Sequence, residues 1–448
     1  MKRYSFRLFF LRLVLSTTLA AQKAQPARGD AVETSLRKHI EYLASDKLEG
    51  RRTGEAGATA AAGYIANQFA KLKLKPGMRS TNGKPNYMQP FPYVKKAGEP
   101  APTGYNVIGI LEGTDKILKK EAIVIGAHYD HLGHGGEGSL AANSTDIHHG
   151  ADDNASGTAA IIELARQFSK EKKNRRTIIF IAFSGEEEGL FGSKFYVNNP
   201  VFPIENTVAM INLDMVGRLN ADKLTIGGMG TATEWKPIVE AANLVDETRS
   251  SAPKDPAYLG PPIRETESSA KTFILGLNED GFGPSDHSSF YTKKIPVLFF
   301  FTGTHLDYHK PSDTADKINY VGEKRVISYV ADIIKAVDEN PIRPTYTVAK
   351  SSGTPGGRSG FSISLGTIPS YTDSTDGMVI DGVRDDSPAS RAGMKANDKI
   401  VKLAGKEIKN VQDYTKILGE MKAGEEYEIV VVRVTERLTL KIIPVKRP

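Results

Sequence analysis

The chain has 448 residues, more than one hydrophobic core usually organises, so we expect two domains. Hydrophobic residues make up 40% and charged residues 25%, which excludes a collagenous or disordered chain. There is no cysteine, which excludes a disulfide scaffold, thiolate zinc sites, cysteine catalysis and a cysteine-anchored lipoprotein. Any metal must therefore be bound by His, Asp or Glu. The net charge of +6 comes from 59 basic and 53 acidic residues without a long basic block, so nucleic-acid binding is not expected.

The N-terminal residues have the pattern of a secretory signal peptide. Lys2, Arg3 and Arg7 precede a short apolar stretch over 11–19, which is followed by small residues. The stretch is too short to span a bilayer, so a transmembrane anchor is the weaker interpretation. We therefore predict a signal peptide over 1–24, cleaved near Ala20 to Ala24, an exported (periplasmic or extracellular) protein, and no membrane-spanning segment in the mature chain.

In chain order, hydrophobic periodicity predicts alternating helices and strands. The spacing of Ile65, Phe69 and Leu72 predicts an amphipathic helix over 58–72. Apolar runs further along predict strands over 106–111, 122–127, 177–183, 208–213 and 296–301, and periodic segments predict helices over 157–168 and 324–337. Strands that alternate with helices indicate an α/β fold with a mostly parallel central sheet flanked by helices.

A break in composition follows the last of these helices. Residues 340–360 are rich in Pro, Gly, Ser and Thr and have no apolar periodicity, which is typical of a linker. We therefore predict a large domain over 30–340, a linker over 341–357 and a small β-rich domain over 358–448.

Ligand-type side chains follow several of the predicted strands. Because the carboxyl ends of parallel strands form the crevice in which ligands bind, we expect these loops to converge. Each cluster alone has an ordinary explanation: a lone His is commonly structural, Asp-Asn before a helix is commonly an N-cap, and a Glu triplet is commonly solvated. Their coincidence at one edge of the sheet favours a binding site. The clusters are His128 to His131, Gly150 to Gly157, Ser184 to Gly189, Asp214, and Tyr308 with His309.

These ordered motifs resemble those of the secreted co-catalytic dizinc aminopeptidases, whose relatives include bacterial leucyl aminopeptidases, glutamate carboxypeptidase and glutaminyl cyclase. The resemblance covers residues 35–340 and is anchored on Ala155-Ser156-Gly157, which selects Asp153 over Asp152. It implies a zinc exopeptidase fold that holds two zinc ions per chain. By this resemblance one zinc is bound by His128 and Asp214, the other is bound by Glu187 and His309, and both are bridged by Asp153.

The resemblance also implies roles for residues that do not bind metal. Glu186 matches the general base, Asp130 matches the carboxylate that orients a zinc-binding histidine, and Tyr308 matches a phenol that hydrogen-bonds the tetrahedral intermediate. Ser285-Asp286-His287 matches a segment near the active site, where we expect substrate positioning and no ligand. The family pattern further implies a cis peptide between Asp153 and Asn154.

The donor chemistry agrees with this assignment. Carboxylates and imidazoles without thiolates suit Zn²⁺ in a hydrolytic site, with Mn²⁺ and Co²⁺ as substitutes. Two cations about 3.5–4 Å apart need a bridging carboxylate to offset their repulsion. A water bound to such a metal has its pKa lowered to about 7. The long loop over 133–149 is expected to shape the rim of the cleft. No ligand role is expected for the other histidines, which are His39, His131, His134, His148, His149, His287 and His305.

The C-terminal part resembles a PDZ domain over 358–446. Residues 358–363 resemble the carboxylate-binding loop and its following strand, and residues 411–421 would form the helix beside the peptide groove. The most recognisable run comprises Asp386-Ser387-Pro388-Ala389, Ala392-Gly393-Met394 and Asp398-Lys399-Ile400-Val401. Two roles remain open: binding of a peptide C-terminus by β-augmentation, and packing that only stabilises the rest of the protein.

Two classes of function follow from these patterns. The first is an exported metalloaminopeptidase that acts on peptides, and the second is a catalytically silent peptide-binding protein with the same fold. Intact metal ligands favour the enzyme. A glutaminyl cyclase or a carboxypeptidase on the same fold is a further alternative, although only residues 112–121 separate two predicted strands, which leaves no room there for the long insert of many carboxypeptidases.

Overall fold

The structure is a computed structural model that describes residues 30–79, 83–92, 102–136, 138–141, 144–244, 272–349, 363–369, 376–383, 386–409 and 411–446. The predicted signal peptide lies outside these residues, as does the later part of the predicted linker, 350–357. Among the described residues, no helix is both long enough and apolar enough to cross a membrane.

A nine-stranded mixed sheet forms the centre of the large domain. Its strands lie in the order β1-β5-β7-β6-β8-β11-β9-β10, with β4 paired to β5, and β2 and β3 form a separate hairpin. Pairing is parallel from β7 through β6 and β8 to β11. The strands are β1 (Lys75–Pro76), β2 (Met78–Arg79), β3 (Pro85–Asn86), β4 (Met88–Pro92), β5 (Thr103–Leu111), β6 (Ala122–His128), β7 (Thr177–Phe183), β8 (Thr207–Leu213), β9 (Lys223–Gly227), β10 (Ile274–Leu277) and β11 (Val297–Phe301).

The central strands are buried on both faces because helices cover the sheet from either side. Every residue of β6, β7 and β8 is buried, as expected for parallel strands with continuous apolar sequences. Successive side chains of a strand point to opposite faces. Accordingly, Ile123 and Ile125 belong to one hydrophobic cluster, and Val124 belongs to the cluster on the other face.

Helices form the two outer layers. Residues of α1, α2, α3, α5 and α7 pack with the cluster that contains Ile123, and residues of α4 and α6 pack with the cluster that contains Val124. The helices are α1 (Ala31–Leu43), α2 (Ala56–Lys71), α3 (Gly157–Glu171), α4 (Phe191–Asn198), α5 (Trp235–Ala242), α6 (His287–Tyr291) and α7 (Tyr320–Glu339). The predicted fold class, helices around a mostly parallel sheet, is confirmed. The sequence analysis does not predict helices α1, α4, α5 and α6 or strands β1 to β4, β9 and β10.

The first part of the predicted linker packs on the large domain. The backbone N–H of Thr345 donates to Glu234 Oε2 at 2.8 Å, and that of Ala349 donates to the Tyr291 hydroxyl at 2.9 Å. Ala349 is buried in the cluster on the Val124 side of the sheet. The prediction of a linker from residue 341 is therefore wrong for 344–349, because these residues form hydrogen bonds that a free linker lacks.

The C-terminal residues form a β-rich unit with its own core. Five of its strands lie in the order β13-β14-β15-β17-β18, β16 pairs with β15, and β12 pairs with β19. Helix α9 buries Tyr414, Ile417 and Leu418 in this core. The elements are β12 (Ile363–Ser364), β13 (Thr367–Pro369), β14 (Met378–Val383), α8 (Pro388–Arg391), β15 (Lys399–Leu403), β16 (Lys406–Glu407), α9 (Val411–Glu420), β17 (Tyr427–Arg433), β18 (Glu436–Ile442) and β19 (Val445–Lys446).

Candidate metal centre

The register of two parallel strands brings the first pair of donors together. Gly126 of β6 is paired with Asn212 of β8, so the residues two positions further on, His128 and Asp214, leave the sheet side by side. His128 Nε2 lies 3.3 Å from Asp214 Oδ1. Both side chains are buried.

Asp153 lies on the turn that leads into α3. The side-chain amide of Asn154 donates to the Leu213 carbonyl at 3.0 Å, and its Oδ1 accepts from the backbone N–H of Met215 at 3.1 Å. These bonds tie the turn to the end of β8, which places Asp153 Oδ1 3.3 Å from His128 Nε2. The peptide between Asp153 and Asn154 is cis, as the family resemblance implied.

The second oxygen of Asp153 belongs to another group of donors. His309 Nε2 lies 3.1 Å from Asp153 Oδ2 and 3.2 Å from Glu187 Oε2. The other ring nitrogen of His309, Nδ1, donates a hydrogen bond to the Gly138 carbonyl at 2.8 Å. The lone pair of Nε2 can therefore bind a cation. Glu187 reaches the site from the turn after β7.

The spacing of these donors fits zinc. With Zn–N and Zn–O distances of about 2.0–2.2 Å, two donors of a tetrahedral zinc lie about 3.3 Å apart. The four donor pairs described above are separated by 3.1–3.3 Å. Two clusters able to hold a metal, among the residues that the structure describes, share Asp153. One consists of His128, Asp153 and Asp214, and the other of His131, Asp153 and Glu187.

The electrostatics of the centre favour positive charge. Burial alone would lower the pKa of His128, but Asp214 and the other carboxylates around it hold that pKa well above its usual value. Burial would raise the pKa of Glu187, yet His309 and His131 lower it to about 2. The pKa of Asp153 is likewise held well below its usual range by His128 and His309, against the effect of burial. Burial raises the pKa of Asp214, so it is the carboxylates of Glu187 and Asp153 that provide a suitable environment for divalent cations.

Asp130 lies behind His128 and contacts it in an unexpected way. The predicted contact joins the carboxylate to the imidazole, but Asp130 Oδ1 lies 3.7 Å from His128 Nδ1. The hydrogen bond goes instead to the Asp130 main-chain carbonyl, 3.2 Å from Nδ1. The carboxylate accepts from the Glu186 backbone N–H at 3.3 Å and from the Thr53 hydroxyl at 3.0 Å. Asp130 thus links His128, a candidate zinc ligand, to the backbone of Glu186.

Glu186 and Tyr308 each directly precede a proposed ligand in the chain. Glu186 is buried and directly precedes Glu187. The ring of Tyr308 stacks on that of His309 with centroids 3.9 Å apart, and it packs against an apolar cluster of Met215, Phe299 and Phe301. This arrangement puts a phenol and an apolar wall beside the donors.

The Ser285-Asp286-His287 segment is buried next to the same wall. Burial raises the pKa of Asp286 to about 7 and lowers that of His287 to about 3. The His287 ring stacks on Phe299 with centroids 4.6 Å apart. Neither residue belongs to a metal cluster among the described residues.

A segment before α2, which the sequence analysis did not connect with the site, holds its loops together. Arg51 is fully buried and donates to four main-chain carbonyls from separate parts of the chain. These belong to Leu43, Tyr129, His149 and Gly150. The Arg52 guanidinium donates hydrogen bonds to the Leu132 and Gly135 carbonyls and to the Glu188 carboxylate. The available signal was the Arg-Arg-Thr run between two glycines, but only the fold shows what it contacts.

A second group of residues that the sequence analysis missed supports Asp153 from the other side. Asp313 Oδ2 accepts from the backbone N–H groups of Asp152 and Asp153 at 2.8 and 3.1 Å. Its Oδ1 bonds to Arg218 at 3.2 Å. His305 reaches the same turn, with Nε2 3.2 Å from Asp152 Oδ2. The backbone that carries Asp153 is therefore held by side chains from the segment around His309.

The remaining histidines of the long loop have structural partners, with one exception. His134 forms a hydrogen bond with the Thr145 carbonyl, His148 forms one with the Ser139 hydroxyl, and His149 forms one with the Asp46 carboxylate. The exception is His131, which directly precedes this loop and for which no ligand role was expected; it is buried, with Nδ1 2.9 Å from Glu187 Oε1.

With this geometry in hand, comparison with known proteins identifies the family. Residues 106–334, just over half of the chain, match the model described as Peptidase family M28. The chain belongs to this family. Residues 366–443 of this M28 chain match the PDZ domain model, so both resemblances inferred from the sequence are confirmed. The PDZ match begins after residues 358–363, of which 358–362 lie outside the described residues and Ile363 begins β12.

Individual relatives cover only part of this M28 chain. A probable zinc metalloprotease of Pyrenophora tritici-repentis is 28% identical over 204 residues, 43% of this chain and 38% of that protein. The aminopeptidase YwaD of Bacillus subtilis is 27% identical over 242 residues, 52% of this chain and 44% of that protein. The chain thus spans less than half the length of these two relatives.

A solved structure shares the fold of the large domain. A Zn-dependent exopeptidase from Parabacteroides distasonis is similar with a TM-score of 0.50 and 19% identity, covering 67% of this chain and 97% of that one.

Proposed function

We propose that this M28 chain is a zinc-dependent aminopeptidase that holds two zinc ions and removes N-terminal residues from peptides. The observation that carries the proposal is that the two carboxylate oxygens of Asp153 face two different sets of donors. Its Oδ1 faces His128, and its Oδ2 faces His309. A carboxylate shared in this way offsets the repulsion between two cations about 3.5–4 Å apart.

The residues fit zinc in number, type and spacing. We assign His128 and Asp214 to one ion, Glu187 and His309 to the other, and Asp153 to both. Mn²⁺ and Co²⁺ accept the same donors and are expected to substitute. Zinc ions bound there would polarise the scissile carbonyl and make water nucleophilic at neutral pH.

Glu186 is the proposed general base. It is buried beside Glu187, and the bond from its backbone N–H to Asp130 holds the turn on which it lies. In this role its carboxylate takes a proton from the attacking water and passes it to the leaving amine. Such transfer typically contributes a factor of about 10²–10⁴ to the rate.

Tyr308 and Asp130 are proposed to assist in different ways. The phenol of Tyr308 stacks on His309, from where it would donate a hydrogen bond to the developing oxyanion. Asp130 orients His128 through its main-chain carbonyl and orients Glu186 through its carboxylate. Neither residue needs to bind metal for these roles.

Two further proposals concern the context of the reaction. The charged and apolar pattern over 1–24 supports export of the chain to the periplasm or beyond, with cleavage near Ala20 to Ala24. The PDZ domain is proposed to bind the C-termini of peptides along a sheet edge. We place the boundary between the domains after Ala349, the last described residue that packs on the larger domain.

The test compares the purified protein with its Glu186→Gln variant by metal analysis and by cleavage of aminoacyl amides. The wild type should hold two zinc ions and require a free substrate amine, so that N-acetylated amides are not cleaved. Glu186→Gln should keep both ions and lose about 10²–10⁴-fold in kcat, because the amide cannot accept a proton. Glu187→Ala and His309→Ala should instead lower the zinc content toward one ion per chain.

Other results would contradict specific parts of the proposal. Loss of zinc from Glu186→Gln would make Glu186 a ligand. Cyclisation of N-terminal glutamine without amide cleavage would assign the chain to the glutaminyl cyclases, and cleavage from the carboxyl end would make it a carboxypeptidase. A wild type that holds zinc but cleaves no substrate would favour a silent binding protein.

A further inference from the structure

His131 is enclosed next to the second group of donors, although it lies in a loop. Its side chain is buried, and its backbone N–H donates to the Arg51 carbonyl at 3.3 Å. Nδ1 lies 2.9 Å from Glu187 Oε1 and 3.8 Å from Asp153 Oδ2. The first distance is that of a hydrogen bond, and the second is too long for one.

The two oxygens of Glu187 have different neighbours. Oε2 lies 3.2 Å from His309 Nε2, the spacing expected of two donors to one zinc. Oε1 points away from that position toward His131. His131 therefore contacts the oxygen of Glu187 that does not face His309.

The protonation of the His131 ring follows from its surroundings. Nε2 is buried and has no hydrogen-bond partner among the described residues. Nδ1 lies at hydrogen-bond distance from a carboxylate oxygen, which accepts hydrogen bonds and does not donate them. Nδ1 is therefore the donor of this contact, and Glu187 Oε1 is the acceptor. A protonated Nδ1 has no lone pair for a metal, so this tautomer excludes ligation through that atom.

We propose that His131 is a positioning residue of the second metal site, which holds Glu187 by donating a hydrogen bond from Nδ1 to Oε1. The bond turns Oε2 toward Asp153 and His309 and limits rotation of the carboxylate. The inference rests on the proposed two-zinc function, since it concerns the same site. Loss of such a partner typically weakens metal affinity about 10–100-fold. The effect should be confined to the second zinc, because His128 and Asp214 are held by other contacts.

Two amide substitutions test the role of the Nδ1 proton. In His131→Asn the amide nitrogen can occupy the position of Nδ1, and in His131→Gln it lies one bond further out, near the position of Nε2. Zinc is removed, and the affinity of each site is then measured by calorimetric titration with zinc. His131→Asn should bind the second zinc nearly as tightly as the wild type, and His131→Gln should bind it about 10–100-fold more weakly. The control His134→Asn alters an exposed histidine of the same loop and should leave both affinities unchanged.

The outcomes separate a donor from a ligand. If both variants lose the second zinc equally while their melting temperatures match the wild type, the imidazole itself is required and the proposed donor role is wrong. If both bind two zinc ions like the wild type, His131 has no role at the site. Activity of the wild type is measured separately, so a protein that binds two zinc ions without cleaving peptides would contradict the proposed function and leave this inference standing.

Discussion

The hydroxyl of Thr53 donates a hydrogen bond to Asp130 Oδ2 at 3.0 Å, although 77 positions separate the two residues. The hydroxyl oxygen of Thr53 also accepts from the backbone N–H of Gly185 at 2.8 Å and lies 2.8 Å from the Ser184 hydroxyl. His128 is the last residue of β6, and Glu186 and Glu187 lie in the loop that follows β7. Thr53 therefore links the residues after His128 to the loop that carries Glu186 and Glu187. This buried hydroxyl and the bond from the Glu186 backbone N–H to Asp130 together fix the position of the proposed base relative to the metal ligands.

Thr53→Val should weaken both stability and catalysis. The substitution keeps the shape of the side chain but leaves the Gly185 N–H without its acceptor and Asp130 Oδ2 without the hydroxyl that donates to it, at about 1–3 kcal/mol for each buried group. We expect a lower melting temperature and a larger effect on kcat than on KM, because the proposed base moves relative to the substrate. Thr53→Ser keeps the hydroxyl and should behave like the wild type. A valine variant with wild-type kcat would show that the hydroxyl does not position the site.

Asp313→Asn should weaken metal binding without changing a proposed ligand. Asp313 Oδ2 accepts hydrogen bonds from two backbone N–H groups, and Oδ1 accepts one from Arg218. In either orientation of the asparagine side chain, its amide nitrogen would therefore face another hydrogen-bond donor. The turn that carries Asp153 should then lose part of its support, and zinc affinity should fall by about 10–100-fold. The measurement is zinc content after dialysis against a weak chelator. Asp316→Asn changes an exposed carboxylate nearby and serves as the control. Equal zinc retention by both variants would contradict the prediction.

Glu323 should make the large domain less stable as the pH rises. The carboxyl lies buried in the first turn of α7, neither oxygen has a partner among the described residues, and burial together with Asp152 raises its pKa well above the usual value of 4.5. Because the folded state holds the proton where the unfolded state has released it, stability falls by about 1.4 kcal/mol per pH unit from about pH 4.5 up to the folded pKa.

Glu323→Gln cannot ionise and should lack this pH dependence. Its free energy of unfolding relative to the wild type should therefore increase as the pH rises from 5 to 8, as measured by urea denaturation at each pH. Glu339→Gln alters an exposed residue at the end of the same helix and should follow the wild-type profile. Parallel profiles for wild type and Glu323→Gln would mean that Glu323 is ionised in the folded protein.

A chain that ends after Ala349 should retain the zinc site and cleave small aminoacyl amides at a near-normal rate. All proposed ligands precede this residue, and the contacts of 344–349 with the large domain are kept. Longer peptides should show a higher KM, because a PDZ groove that holds their carboxyl ends raises the local concentration of their amino ends. Kinetics on both substrate types provide the measurement. An equal loss on both would mean that the PDZ domain stabilises the large domain, and no loss on either would exclude a role in hydrolysis.

The sequence alone determined the fold class, the family and the residues proposed as metal ligands. Buried parallel strands such as β7 are continuous apolar runs; His128, Glu187 and Asp214 end or closely follow such runs, and Asp153 shortly precedes a helix. These signals are local along the chain, so periodicity and motif order reveal them. The helix over 58–72 was recognised for the same reason, with small errors at its ends.

Only the tertiary structure decided how the donors are held. Thr53, His131 and Asp313 contact partners that are 77, 56 and 160 positions away, and their local sequence does not show which partners these are. A hydrogen bond depends on which elements pack together and on which side chains they bury, and both follow from the arrangement of the sheet. The same applies to residues 344–349, whose composition is that of a linker but whose backbone bonds to the large domain.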